Sequence, residues 1–381
     1  MKIIADENMS AVQECFAPYG TVETLAGRDM HAASVAEADI LLVRSVTRVD
    51  AQLLAGSRVK FVGSATIGTD HIDINYLQQK GIHFAHAPGC NAEAVVQYVL
   101  SVFCTLEPQW RAKKVGIVGC GNVGGRLWRR LSALGVACQV YDPFLSATAC
   151  DSLTNLEAVL DADIICLHTP LTLGGKFPSH HLIDQRILEE FIRPGALLIN
   201  AGRGGVIDNA ALLTHLQAGA DLNVALDVWE GEPAINLALL QQVKLATPHI
   251  AGYSLEGRLR GTQMVRDAMC CQFDLGVPKA AVSSLAVGGA AQRTELGGRI
   301  LLAADETADR AVLASYSVGD DDQNMRAVLA GSGVGTESHG QLFDGLRKNY
   351  AQRREFSHYR VGGPGQRACH KELEILGFKT G

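Results

Sequence analysis

Several things are scarce or missing in these 381 residues, and each absence narrows the reading. No two of the ten cysteines have C-x-x-C spacing, and the adjacent Cys270 and Cys271 have poor geometry for an ordinary bridge. Cys104 and Cys166 sit in apolar runs and read as small core residues. Reduced thiols, no metal site and a cytoplasmic location are therefore expected. There is no excess of positive charge. Lys and Arg number 34 against 40 Asp and Glu, a net charge of -6, which argues against nucleic acid or an anionic membrane as a general partner. Long apolar runs are also missing: Ala94 to Leu106 is interrupted by Gln97 and Ser101 and is too short to span a bilayer. The opening "MKIIADENMS" reaches acidic residues by position 6, so no secretory signal is expected. Neither an internal repeat nor a low-complexity tract occurs.

What remains is 47% apolar and 19% charged, the profile of a globular protein, in a chain long enough for two or three domains. The first third alternates helical patterns with strand-like runs: "KIIAD", "ILLVRS", "VKFVGS" and "GIHFAHA". A helix follows Pro88-Gly89, with Asn91 as its N-cap. The middle third has more strongly apolar runs, "KVGIVG", "CQVYDP", "ADIICLHTP", "GALLINAG" and "LNVALDVW", then a weaker "VKLATPHI". Runs this continuously apolar suit parallel strands buried on both faces, and their alternation with helices predicts doubly wound α/β domains. After about Pro278 the texture changes. "AVSSLAVGGAAQ" reads as a linker, "DDDQ" as an acidic turn, and the remainder as a small, separate α/β domain.

The glycine pattern "GIVGCGNVGGRL" follows the strand "KVGIV" and opens a helix, the context that G-x-G-x-x-G needs to bind a dinucleotide. Gly119 allows the tight turn, Gly121 lets backbone approach a pyrophosphate, and Gly124 lets helix and strand pack closely. Asp142 ends the next strand, 18 residues past Gly124, where an acid meets the adenosine ribose and repels the extra phosphate of NADP, so NAD is expected. Three more residues follow later strands. Arg203, between Gly202 and Gly204, offers a fork for a carboxylate. Glu232 and His249 make an acid–base pair suited to taking a hydroxyl proton while hydride leaves the same carbon.

These pieces, with "HTPLT", "LLINAGRGGVID", "ALDVWEGEP" and "TPHIAG" in order from Lys114 to Gly252, resemble the D-isomer-specific 2-hydroxyacid dehydrogenases. The resemblance implies an interrupted architecture: a substrate (lid) domain from residues 1–90 and 253–280, an NAD-binding Rossmann domain over 91–252, and the site between them. It also implies that Arg203 anchors the substrate carboxylate, His249 is the acid–base and Glu232 orients it. A closer resemblance runs nearly the full length, through "DENMS", "LLVRSVTRVD", "KFVGSATIGTDHID", "APGCNAEAVVQYV", "ALDVWEGEPAIN" and "HIAGYSLEGRLRGT". It is to the branch of that family that oxidises 4-phospho-D-erythronate to the 2-oxo acid in vitamin B6 biosynthesis. The tail "LFDGLRKNYAQRREF" is similar to that branch's dimerisation domain, expected here over 287–381 in a homodimer.

By the same resemblance Ser45, Thr66 and Tyr253 contact substrate. The NAD contacts are Gly119, Gly121, Asn122, Val123, Gly124, Asp142, Thr169, Ala201, Gly202, Arg203, Asp227 and Gly252. The substrate carries a phosphate besides its carboxylate, so further cations are expected. Arg44 beside Ser45 is the first candidate, and Arg258 and Arg260 follow Tyr253. The tail cluster of Arg347, Lys348, Arg353 and Arg354 reads as a solvated helix face or a subunit contact. Alternatives are another dehydrogenase of the family, acting on phosphoglycerate, glycerate or glyoxylate, and an NAD-sensing, corepressor-like binding protein.

Overall fold

Strand β1 (Lys2–Asp6) pairs on one side with β2 (Thr21–Leu25) and on the other with β3 (Ile40–Val43). Next come β4 (Phe61–Ser64) and β5 (His83–His86), giving a parallel sheet in the order β2-β1-β3-β4-β5. Every residue of β3 and β4 is buried, as expected of strands covered on both faces. β2 escaped the sequence reading because "TVETL" is an edge strand with three of its five residues exposed, and carries no apolar run. The chain returns to this unit with the helix Leu255–Gln272, whose Val265, Met269 and Cys270 join a core with Ile3, Phe16 and Phe61. This computed structural model describes residues 1–146, 148–277, 298–330 and 338–381, so the linker read at Ala281 to Gln292 lies outside the described residues. The described residues fall into two compact units, Met1–Asn91 with the chain from Ser254 to 277, and Ala92–Tyr253 with 298–381.

The second unit holds β6 (Val115–Val118), β7 (Cys138–Tyr141), β8 (Ile164–Leu167), β9 (Ala196–Asn200), β10 (Leu222–Leu226) and β11 (Leu245–Ala246). They form a parallel sheet ordered β11-β10-β9-β8-β6-β7. From β6 the chain runs outward to the edge strand β7, then crosses back to β8. The carboxyl ends of β6 and β8 therefore flank a point where the winding reverses, the place where open α/β sheets bind ligands.

Residues 298–381 add a parallel sheet of β12 (Arg299–Leu301), β13 (Arg360–Gly362) and β14 (Lys379–Thr380). Despite this sheet the segment shares its core with the rest of the unit. Ala308, Ala311, Val312, Phe356 and Phe378 lie in one apolar cluster with Val95, Val99 and Phe103. "DDDQ" is not a turn. It lies in the helix Val318–Ala330, with Asp320 and Asp321 in the first turn, where acidic side chains meet the positive end of the helix dipole. All ten cysteines are free, and Cys104 and Cys166 are buried.

The tightest approach in the second unit lies at the end of β6. A Cβ added to Gly124, the first residue of the helix Gly124–Ala133, would lie 1.9 Å from the Gly119 carbonyl oxygen. Gly124→Ala must push strand and helix apart and is expected to cost about 1–3 kcal/mol of stability. Urea unfolding measures it, and an unchanged midpoint contradicts the close packing.

Candidate active site

At the reversal point Gly119 takes a left-handed conformation, with φ of 89°. Its missing side chain leaves room for His168 and Thr169 at the end of β8, whose backbone would lie 3.0 Å from an added Cβ. Asp142 secures the turn from the side: its Oδ2 accepts the Cys120 N–H at 2.9 Å and its Oδ1 the Phe144 N–H at 3.0 Å. At Gly121 a Cβ would meet nothing within 4 Å, so this backbone, with Asn122 exposed beside it, is open to a ligand. Gly202, after β9, closes on the same spot, 3.1 Å from the Thr169 carbonyl oxygen by the same measure. The Thr169 hydroxyl is buried here without a hydrogen-bond partner. An open glycine turn at a helix N-terminus and an unanswered buried hydroxyl fit a dinucleotide.

His168, to which the sequence reading gave no role, also stands here. Both its ring nitrogens are buried and unbonded, and burial pulls its pKa down to about 4, so the ring is neutral. The sequence signal was present in "HTPLT", but a histidine in a strand end does not announce its burial.

Arg203 is placed by a turn that Asn200 ties: the amide side chain donates to the Arg203 carbonyl at 2.9 Å and accepts the Gly202 N–H at 3.1 Å. The Arg203 guanidinium donates to the Gly202 carbonyl at 2.8 Å. Gly204 brings this turn against the backbone of Trp229, since an added Cβ would fall 2.0 Å from the Trp229 carbonyl carbon. Three residues beyond Trp229 stands Glu232. Its Oε1 accepts the Trp229 N–H at 2.8 Å, and its Oε2 lies 2.7 Å from Nδ1 of His249. With Nδ1 engaged, Nε2 of His249 is the nitrogen left for chemistry.

His249 has a φ of 58°, a left-handed conformation that costs a non-glycine residue about 1–3 kcal/mol and persists only when its surroundings fix it. Asp227 supplies that fixing. Its carbonyl accepts the His249 N–H at 2.7 Å. Its buried carboxyl accepts the Thr247 hydroxyl and the Ile250 N–H, each at 2.7 Å, and the Ala251 N–H at 3.0 Å. Burial pushes this carboxyl above its ordinary range, against the pull of His249 and these donors. Asp227 thus holds the loop that carries His249, and Ala201 and Gly252 lie half-buried in the turns on either side.

The tail corrects one expectation. Arg353 is buried, donating to the Ala251 and Ala94 carbonyls, with its guanidinium 4.0 Å from the centre of the Tyr316 ring. Arg347 stands 5.9 Å from the centre of the Tyr253 ring, which also meets Tyr350 edge-on. These two arginines do not lie on a solvated helix face, although Lys348 does. Arg347 shares a helix face with the fully buried Phe343 four residues earlier, which a reading by charge alone overlooks.

The first unit carries Ser45 and Thr66, each two residues past paired strands, where Val43 faces Ser64. Ser45 is exposed, and Thr66 donates to the Gly68 carbonyl at 2.9 Å. Arg44 is half-buried beside Ser45. Arg258 and Arg260 brace their own unit through the carbonyls of Asn8 and Cys90. Among the described residues one cluster has metal-type ligands, His180, His181 and Glu230. The Glu230 oxygens already meet the His181 ring at 2.7 Å and the Asn209 N–H at 2.9 Å.

The chain is similar to known proteins along its whole length. Residues 103–251 match the family "D-isomer specific 2-hydroxyacid dehydrogenase, NAD binding domain", and residues 291–377 match a "Domain of unknown function (DUF3410)". The erythronate-4-phosphate dehydrogenase of Cellvibrio japonicus is 46% identical over the whole of both chains. Those of Teredinibacter turnerae and Sodalis glossinidius are 48% and 49% identical, covering 95% and 94% of this chain and 95% and 93% of their own.

The chain belongs to the erythronate-4-phosphate dehydrogenase family.

This member is accordingly an NAD-dependent oxidoreductase of the 2-hydroxyacid dehydrogenase type. Its fold is shared with a D-lactate dehydrogenase from Aquifex aeolicus solved with NAD and lactic acid, at a TM-score of 0.62 and 21% identity over 72% of this chain and 96% of that one. NAD-bound 3-phosphoglycerate dehydrogenase from Entamoeba histolytica gives the same score at 24% identity, over 74% and 98%.

Burial alone would raise the Glu232 carboxyl, but His249, Arg347 and the Trp229 N–H outweigh it and hold it below the ordinary range. A carboxyl lowered by folding contributes stability above its unfolded pKa and loses it as the pH falls through the folded value. Glu232→Gln should therefore destabilise most near neutrality, with the gap to wild type narrowing on acidification. Unfolding midpoints at about pH 7 and about pH 4 check this, and a gap that widens in acid contradicts the pairing.

Proposed function

We propose that this erythronate-4-phosphate dehydrogenase homologue oxidises 4-phospho-D-erythronate to (R)-3-hydroxy-2-oxo-4-phosphooxybutanoate on the route to pyridoxal phosphate. The observation that carries the reading is the His249–Glu232 hydrogen bond, held on the Asp227 loop in a chain that aligns end to end with relatives of that name.

The chemistry assigned to the chain follows from its groups. The Arg203 fork takes the substrate carboxylate, which fixes the position of carbon 2, and polarises the carbonyl as it forms there. Nε2 of His249 takes the proton of the 2-hydroxyl as the carbonyl forms. Glu232 holds the ring in one orientation and stabilises the imidazolium that results, so the proton stays on His249 until it passes to solvent. NAD, when bound, supplies the hydride acceptor. The glycine turn from Gly119 to Gly124, with Asp142, Thr169, Ala201, Gly202, Asp227 and Gly252, is assigned to hold it. Asp142 favours NAD over NADP by repelling a ribose phosphate. Ser45, Thr66, Tyr253 and Arg44 are assigned to the substrate, residues 1–90 and 253–280 to the substrate (lid) domain, and 91–252 to the NAD domain. The segment 287–381 is assigned to homodimer formation. Among the described residues no helix is long and apolar enough to cross a membrane, which supports the cytoplasmic location assigned here.

NADH formation with 4-phospho-D-erythronate, set against D-erythronate, 3-phosphoglycerate, glycerate and the reduction of glyoxylate, tests the substrate. The phosphorylated four-carbon acid should give the highest kcat/KM, and preference for another acid overturns the assignment. His249→Ala should bind NAD normally while kcat falls by about 100-fold or more.

A further inference from the structure

We propose that the C-terminal segment completes the active site of its own chain, with Arg347 holding the phosphate of the substrate. This rests on the substrate reading above and gives the domain of unknown function a chemical role.

The helix His339–Lys348 is docked on the catalytic turn rather than beside it. Its N-terminus is closed by a capping box between Ser338 and Gln341, which fixes where it begins. Gly340 abuts the residue after Glu232, since a Cβ there would lie 3.3 Å from the Pro233 ring. Phe343 is fully buried in an apolar cluster with Trp229 and Ile235, which bracket the Glu232 turn in sequence. One helical turn after Phe343, on the same face, comes Arg347.

The surroundings of Arg347 leave part of its donor fork unanswered. Nε is buried without a hydrogen-bond partner. The Glu232 and Asp344 carboxylates act on the guanidinium, and neither answers Nε. Glu232, close enough for Arg347 to help keep it ionised, already uses Oε1 on Trp229 and Oε2 on His249. Tyr253, a residue assigned to the substrate, hydrogen-bonds the Arg347 side chain, with its ring centre at 5.9 Å. A half-buried guanidinium with a buried, unanswered Nε donor is costly unless an anion meets it. The reading above supplies one. The carboxylate goes to Arg203 and carbon 2 to His249, which leaves the phosphate at the far end of a four-carbon chain. A planar fork beside a phenol matches phosphate oxygens.

The test compares 4-phospho-D-erythronate with D-erythronate in wild type, Arg347→Ala and Arg347→Lys. Loss of charge-assisted hydrogen bonds should cut the kcat/KM preference for the phosphorylated acid by about tenfold or more in Arg347→Ala, and less in Arg347→Lys, which keeps the charge. Inorganic phosphate, as a competitive inhibitor, should weaken in parallel. NAD binding, unchanged in both variants, reports that they fold, and Arg347→Lys decides if Arg347→Ala does not. If Arg347 only supports Glu232 and His249, both acids lose activity equally and the preference survives, which overturns the proposal. A wild type that oxidises another 2-hydroxy acid and ignores both of these sinks the substrate reading instead.

Discussion

A carboxyl group sealed from water must have its oxygens answered by the chain itself, and at Asp227 that demand shapes the loop that carries His249. The Thr247 hydroxyl and the Ile250 and Ala251 N–H groups all turn toward it, so the loop after β11 has little freedom. His249 lies inside that wrap, in a left-handed conformation it would not hold in isolation. The local cost is met by a ring of bonds that also aims the imidazole at Glu232. A glycine at this position would relieve the strain but could not carry a proton.

Glu232 answers a second constraint. It is bound to the Trp229 N–H behind it and to His249 in front, and Gly204 presses the Arg203 turn onto the same stretch of backbone. Arg203, Glu232 and His249 are thus held by short side-chain and backbone hydrogen bonds in the turns that follow β9, β10 and β11. The tail adds to this frame. Arg353 donates to the Ala251 carbonyl, beside the amides that Asp227 holds, and Phe343 packs in the cluster that includes Trp229. A segment with its own small sheet is therefore integral to the unit that carries His249 and Glu232.

Much of this was legible in the sequence. Continuously apolar strands announced parallel sheets, and the glycine turn announced its own place, because a reversal of winding needs close backbone approach at Gly119 and Gly124. Arg203, Glu232 and His249 were legible as strand-end residues with complementary chemistry. What was hidden depends on tertiary packing. β2 has no apolar run because it is an exposed edge. "DDDQ" looked like a turn, yet acidic residues suit a first helical turn equally well. Arg347 and Arg353 looked solvated because a basic run reads as surface, and only the face shared with Phe343 turns the first of them inward. His168 was silent because burial, not residue type, sets its protonation.

The central claim is that Glu232 decides which nitrogen of His249 bears the proton at rest. Nitrogen-15 NMR of histidine-labelled protein reads this directly, with Glu232→Ala used for assignment. The account predicts that the neutral ring of His249 is protonated at Nδ1, with Nε2 bare, and that Glu232→Ala abolishes the preference. A neutral ring protonated at Nε2 in the wild type would contradict it.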